Sequence, residues 1–168
     1  MKQFYIFGLS IIFILSQASA QSQNSVKEFL QVQFVGEIPK PERLWIDKQK
    51  QQIIKKQFNP SQIKLSYRYW QSDSITVWVL DEIGKERNIT TAIVIEDKTI
   101  KNVEVLVYRE SRGGQVQNKR FTQQYYHKNS QSNFIKEIDS ISGATLSVNA
   151  LNKQAKLALW LNQQIHEN

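Results

Sequence analysis

The chain has no cysteine among its 168 residues, and that absence removes several chemistries together. Disulfides, iron–sulfur clusters, C-x-x-C-H haem attachment and a thiolate nucleophile are all excluded. Histidine is scarce too: His127 and His166 stand in polar surroundings without metal-ligand spacing and are expected at the surface. No Cys–His pair, recognisable triad or metal cluster can be drawn from the sequence, so no residue is assigned a catalytic or metal-binding role. No internal repeat is visible, and the glutamine content is compositional rather than low-complexity. The apolar run from Phe4 to Leu15 is shorter than the roughly 20 residues a membrane span needs.

That run is nevertheless informative. Lys2 precedes it and Gln17-Ala18-Ser19-Ala20 follows, giving the charged region, short apolar region and A-x-A site of a secretory signal. Cleavage is expected after Ala20, with an uncleaved N-terminal anchor as the alternative. No cysteine follows the apolar run, so a lipoprotein anchor is excluded. The expected product, residues 21–168, is periplasmic and long enough for one domain with a real core. Loss of Lys2, the signal's sole charge, takes the formal net charge from +7 to +6. A basic surface outside the cytoplasm suits acidic redox partners or the anionic face of a membrane, rather than nucleic acid. A basic balance can equally serve solubility alone.

The middle of the chain alternates with the period of strands. Residues 63–70 place Leu65, Tyr67 and Tyr69 on one face, and Gln71-Ser72-Asp73-Ser74 supplies a turn. Residues 75–83 and 89–96 are rich in β-branched and aromatic types, and Gly84-Lys85 separates them. Asp97-Lys98 predicts a hairpin into Ile100–Tyr108, where Val103, Val105 and Val107 alternate with Glu104, Leu106 and Tyr108. Short connections between neighbours predict an antiparallel meander.

Residues 21–60 read as an N-terminal helical segment ahead of a domain over 61–168. Within it, Val26–Val35 predicts a short helix. Glu42 to Lys56 predicts a second, with Leu44, Trp45, Ile53 and Ile54 as its apolar side, Pro39 and Pro41 before it and Asn59-Pro60 after it. Arg120–His127 predicts a further helix, with polar loops at Gln115–Lys119 and Asn129–Asn133. The fold expected is α+β: a meander sheet flanked by an N-terminal and a C-terminal helix.

The C-terminal helix begins near Ala144. Ala144, Val148, Leu151, Ala155, Ala158 and Ile165 recur at three- and four-residue spacing, with Asn149, Asn152, Lys153, Lys156 and Gln163 between them. Ser142 stands where an N-cap belongs, and Gly143 permits close backbone approach. Thr145 is then expected in the first turn, where unpaired N–H groups and the dipole favour a phosphate. Taken alone, Ser-Gly-Ala-Thr before an apolar helix is equally well an ordinary cap.

The wider heptapeptide, Asp139-Ser140-Ile141-Ser142-Gly143-Ala144-Thr145 followed by Leu146-Ser147, resembles the acceptor motif of the covalent FMN-binding domain family. That domain occurs in the periplasmic flavin subunits of the Rnf complex and of the sodium-pumping NADH:quinone reductase. The similarity extends over roughly residues 75–160, through Asp81-Glu82-Ile83-Gly84, the hairpin at Asp97, Tyr108 to Gly114, and Phe121. The resemblance implies FMN held by a phosphoester on Thr145, attached from FAD by a separate flavin transferase, with Asp139 as a recognition or metal-binding element for that enzyme. It also implies an electron carrier. The loop departs from the larger subunits: Ser111 replaces a Thr, and Arg112-Gly113 replaces a Pro. This suits a small free-standing FMN-binding protein.

In that loop, Gly113 and Gly114 permit backbone approach to an anionic or planar ligand, and Arg112 can pair with a phosphoester or an anionic reduced flavin. Glu110 and Ser111 could hydrogen-bond the flavin or fix the loop. A bare turn at Gly-Gly is the alternative. Trp45, Trp70, Trp78 and Trp160 are expected to fill the core rather than stack on a flavin. Two other classes stay open: a flavin-dependent reductase of iron or quinone, and a cofactor-free periplasmic binding module.

Overall fold

The computed structural model describes residues 25–166; the expected signal and its cleavage site lie outside them. The chain divides into two compact units, Met1–Ile38 and Pro39–Asn168. In the first, residues 25–33 form helix α1, with Val26, Phe29 and Leu30 spaced along one side.

The second unit is built on five strands, β1 (Glu42–Trp45), β2 (Ser66–Ser72), β3 (Ile75–Ile83), β4 (Asn88–Glu96) and β5 (Thr99–Tyr108). They lie in sequence order, every neighbouring pair antiparallel. The α+β meander expected from the sequence is therefore what forms. Residues 39–60, expected with the N-terminal segment, contribute β1 and helix α2 (Lys48–Gln57) to this unit.

The helix expected from Glu42 is corrected at this point. Glu42–Trp45 is a strand paired with Ser66–Tyr69, and α2 starts only after Asp47, whose side chain accepts from the Lys50 N–H at 2.7 Å. An Asp cap next to a helix-forming run is the signal that was available. Pairing decides the side chains: Leu44 turns into the core and Trp45 is 69% exposed, so Trp45 is not a core residue. Leu65, expected beside Tyr67 and Tyr69, precedes β2 and is exposed, while the two tyrosines are buried.

Two-residue turns hold the β2–β3 and β4–β5 hairpins, and a four-residue loop joins β3 to β4. Asp97 and Lys98 both have positive φ, 49° and 65°, as a type I′ turn between strands of right-handed twist requires. Two register shifts interrupt the β4–β5 ladder, between Thr90 and Thr91 and between Val94 and Ile95. They break the simple alternation expected in β5 and bring both Ile100 and Val103 into the core.

Past β5 come a 3-10 helix (Gly114–Gln117), helix α3 (Lys119–Thr122), a second 3-10 helix (Gln123–Tyr125), helix α4 (Phe134–Glu137) and helix α5 (Thr145–His166). The single helix expected over Arg120–His127 is thus split, and His127 takes a left-handed φ of 63°. The loops expected at 115–119 and 129–133 hold hidden structure: Val116 is fully buried, and the second leads into α4, anchored by buried Phe134.

α5 packs across β3, β4 and β5. Its expected apolar residues are buried, Ile165 only partly, with Ala155 and Ala158 at 0% exposure letting the helix approach the sheet closely. Asn152, expected on the polar side, is instead buried and accepts a hydrogen bond from the Tyr125 hydroxyl at 2.7 Å. Gln154 spans helix and sheet, donating to the Leu80 and Ile89 carbonyls at 3.1 and 2.8 Å. Trp78, at 0% exposure, stacks on Tyr69 at 4.8 Å between ring centroids. Burial of each large apolar side chain contributes about 1.5–3 kcal/mol, and this layer carries most of them.

Candidate functional site

The segment ahead of α5 is shaped by one tight turn. The Ala144 N–H donates to the Ile141 carbonyl at 2.9 Å, and Gly143 has φ +77°. A positive φ at the third residue alone is the mark of a type II turn, which glycine occupies without strain. The first helical bond runs from the Val148 N–H to the Ala144 carbonyl at 3.0 Å. Ala144, not Ser142, is therefore the cap residue. Gly143 reverses the chain just before the helix, leaving Ser142 exposed in the turn.

This geometry leaves an open helix end. The amides of Thr145, Leu146 and Ser147 precede the first helical bond and have no intrahelical partner. Thr145 and Leu146 are exposed, while Ala144 and Ser147 are buried and anchor the turn. Asp139 is exposed and donates its backbone N–H to the Gln124 side chain at 2.8 Å.

The loop after β5 docks on this helix end. The Tyr108 hydroxyl donates to the Arg112 carbonyl at 2.5 Å, leaving the Ser147 hydroxyl to donate to the Tyr108 oxygen at 2.9 Å. Gly113 has φ +85°, and a Cβ there would come within 2.9 Å of Tyr108 Oη, 3.0 Å of Ser147 Oγ and 3.1 Å of Ala144 Cβ. Its glycine is needed for loop-to-helix packing. Gly114 opens the following 3-10 helix.

Glu110 fixes a second loop. Its Oε1 accepts from three consecutive amides, Lys85 at 2.5 Å, Glu86 at 2.8 Å and Arg87 at 3.0 Å. Gly84 makes room for it, since a Cβ there would lie 2.8 Å from the same oxygen. Partial burial pushes the Glu110 carboxyl up, but the amides of Arg87, Glu86 and Lys85, helped by the Lys85 charge, outweigh that. The carboxyl is held below the usual carboxylate range.

Together these pieces enclose an open cleft of about 560 Å³. Lys85 lines it from the β3–β4 loop, Glu110, Ser111 and Arg112 from the loop after β5, and the run from Gly143 to Ser147 from the start of α5. Of the residues singled out in the sequence, Thr145, Gly143, Ala144, Leu146, Ser147, Glu110, Ser111 and Arg112 meet in one place. Asp139, Ser142, Gly113 and Gly114 do not form its walls. Sequence reasoning missed Lys85, read only as part of a strand break, and the bridging role of Tyr108. The tryptophans stay out of the cleft lining.

The chemistry of the cleft suits a phosphorylated small molecule. Its volume falls within the roughly 300–1,000 Å³ of small-molecule sites. Unspent amides at the helix end favour an anion, and Lys85 and Arg112 are the cations on the walls. The carboxylate of Glu110 is already engaged by backbone donors. Nothing lies within 4 Å of where a Gly143 Cβ would be, so the turn is open to a bulky group. Among the described residues no group of three His, Cys, Asp or Glu could hold a metal ion.

Residues 84–159 match the sequence profile of the FMN-binding domain. The chain carries an FMN-binding domain. Its matched span runs from the glycine beside Glu110 into the body of α5, and so contains every residue that lines the cleft. Strands β4 and β5 lie in the first third of the matched span, and β1 to β3 lie ahead of it, completing the sheet on which α5 packs. No curated protein sequence matches the chain.

Proposed function

We propose that the FMN-binding domain holds its flavin covalently, as a phosphoester on Thr145, and that the protein is a periplasmic electron carrier. The observation that carries this reading is the placement of an exposed threonine hydroxyl at the open amide end of α5, inside the cleft that also presents Lys85 and Arg112. In the attachment step a flavin transferase joins Thr145 Oγ to the FMN phosphorus of FAD. The pyrophosphate P–O bond breaks, AMP leaves and the threonine proton goes to solvent.

FMN supplies the redox chemistry when bound. The chain's own residues have simpler tasks. The amides of Thr145, Leu146 and Ser147 would hold the phosphate, and Lys85 and Arg112 would offset its charge and that of a reduced flavin. The Tyr108–Ser147 hydrogen bond keeps the Arg112 loop against the helix. A covalent link suits an extracytoplasmic protein, because a lost cofactor could not readily be replaced there. The basic balance of the chain suits acidic or membrane-bound redox partners. Among the described residues no helix is long and apolar enough to cross a membrane.

The test is the intact mass of the protein co-expressed with a flavin transferase, beside Thr145→Ala. The expected result is a gain of one FMN less one water, with yellow colour, in the parent only. An unmodified mass in both, with the transferase active on another acceptor, would remove the covalent reading.

A further inference from the structure

Glu110 lies on the cleft wall, where an acidic residue is at first sight misplaced for a phosphorylated ligand. The hydrogen bonds explain it. Three consecutive amides converging on one oxygen form a nest around an internal anion. A Cβ on residue 84 would lie 2.8 Å from that oxygen, so glycine there leaves the carboxylate room to stay on the three amides. Within the β3–β4 loop a backbone bond from the Gly84 N–H to the Arg87 carbonyl, at 3.1 Å, closes the turn. Lys85, Glu86 and Arg87 are nonetheless all exposed, and no packing holds the tip against the cleft. The Lys85 ammonium pairs with the exposed Glu86 carboxylate at 3.5 Å, a contact of little energetic weight, and its charge also acts on the Glu110 carboxylate. The position of Lys85 on the cleft wall is therefore set through Glu110 rather than by packing.

We infer that Glu110 is a positioning residue that clasps the Lys85 loop to the Arg112 loop, so that the cleft selects a phosphorylated flavin over its unphosphorylated counterpart. This rests on the flavin reading above. It assigns Lys85 a role in phosphate recognition and removes Glu110 from the groups that touch the flavin. Loss of the clasp frees the Lys85 loop while the helix end and the Tyr108–Ser147 bond persist. The defect then falls on the phosphate and spares contacts to the ring.

The experiment uses the full chain carrying Thr145→Ala, so that binding stays reversible, and reads dissociation constants for FMN and for riboflavin from flavin fluorescence. The parent binds FMN more tightly than riboflavin. Glu110→Ala and Lys85→Ala each narrow that preference by about fivefold, the weight of one solvent-exposed charge contact. The double variant narrows it no further than either alone, because both act through the same loop. Glu110→Leu, which removes the acceptor while filling the space, gives the same narrowing and serves if the alanine variant does not fold. Glu110→Gln, whose amide oxygen still accepts from the three N–H groups, gives a smaller one. A preference unchanged in both Glu110→Ala and Glu110→Leu, an equal weakening of both flavins, or additive effects in the double variant would each overturn the inference. Failure of the parent to bind either flavin would instead sink the flavin reading and this one with it.

Discussion

The body of α5 and its first turn belong to one helix and meet opposite demands. In the body, polar side chains are drawn inward and bonded: Asn162 accepts from the Thr76 hydroxyl at 2.5 Å, and Gln154 reaches two sheet carbonyls. In the first turn, the backbone donors are left unspent and the side chains are small or exposed. The body stabilises the fold, and that rigidity lets the opening turn stay unsatisfied without fraying. A site for an anion is cheap to maintain when the rest of its helix is held by the core.

The strongest way to break the contrast is to damage the body. Leu151, at 1% exposure, packs between α5 and the sheet. Leu151→Ala should lower stability by about 3 kcal/mol through lost burial and a residual cavity, read as a lower urea midpoint.

Two glycines sharpen the contrast next. Both Gly113 and Gly143 have left-handed φ, +85° and +77°, but only Gly113 has neighbours where a Cβ would go. Gly143→Ala should cost about 1 kcal/mol, the backbone term alone. Gly113→Ala should cost about 2–3 kcal/mol, because overlap with Tyr108, Ser147 and Ala144 adds to that term. Thermal unfolding of the two variants, side by side, checks the order; equal losses would mean the loop is not packed on the helix end.

Acid acts on the cleft through Glu110. Its carboxyl titrates below the usual range when folded, so the stability it adds is fully present above the unfolded value. That stability is lost as pH falls through the depressed folded value. The Glu110→Gln variant should therefore lose the part of the acid limb between the two values and converge with the parent at lower pH. Urea midpoints measured across the acid range read this directly, and parallel curves would exclude the clasp as an ionised contact.

The smallest effect is expected at Thr145, the proposed site of flavin attachment. Thr145 is exposed and no side-chain hydrogen bond holds it, so Thr145→Ala should change stability by no more than about 0.5 kcal/mol. Coincident unfolding curves for the flavin-free proteins would show that Thr145 is not a part of the helix cap.

The hairpins were legible because their signals are local. Asp97-Lys98 between β-branched runs can only reverse the chain, and the span from Ile75 to Tyr108 alternates as a sheet does. The start of α5 was legible for the same reason. The cap was misplaced by two residues because Ser142 is a good cap by type, and only the Gly143 turn moves it out of reach. β1 was read as helix because Leu44 and Trp45 were joined with Ile53 and Ile54 as one apolar side between Pro41 and Asn59-Pro60. Yet the nine residues from Leu44 to Ile53 put those two on opposite faces of a helix. Pairing with β2 overrode that pattern.

The amino-acid sequence by itself determined the meander, the long final helix and the acceptor-like run at its start, since these follow from periodicity, turn chemistry and residue type over short distances. Tertiary structure alone decided that Glu110 closes on the loop of Lys85, that Gly113 packs on Ser147, and that Asn152, Gln154 and Asn162 point inward. Those outcomes join residues distant in the chain. A hydrogen-bond donor or a charge carries no sign of its partner until the fold brings the two together.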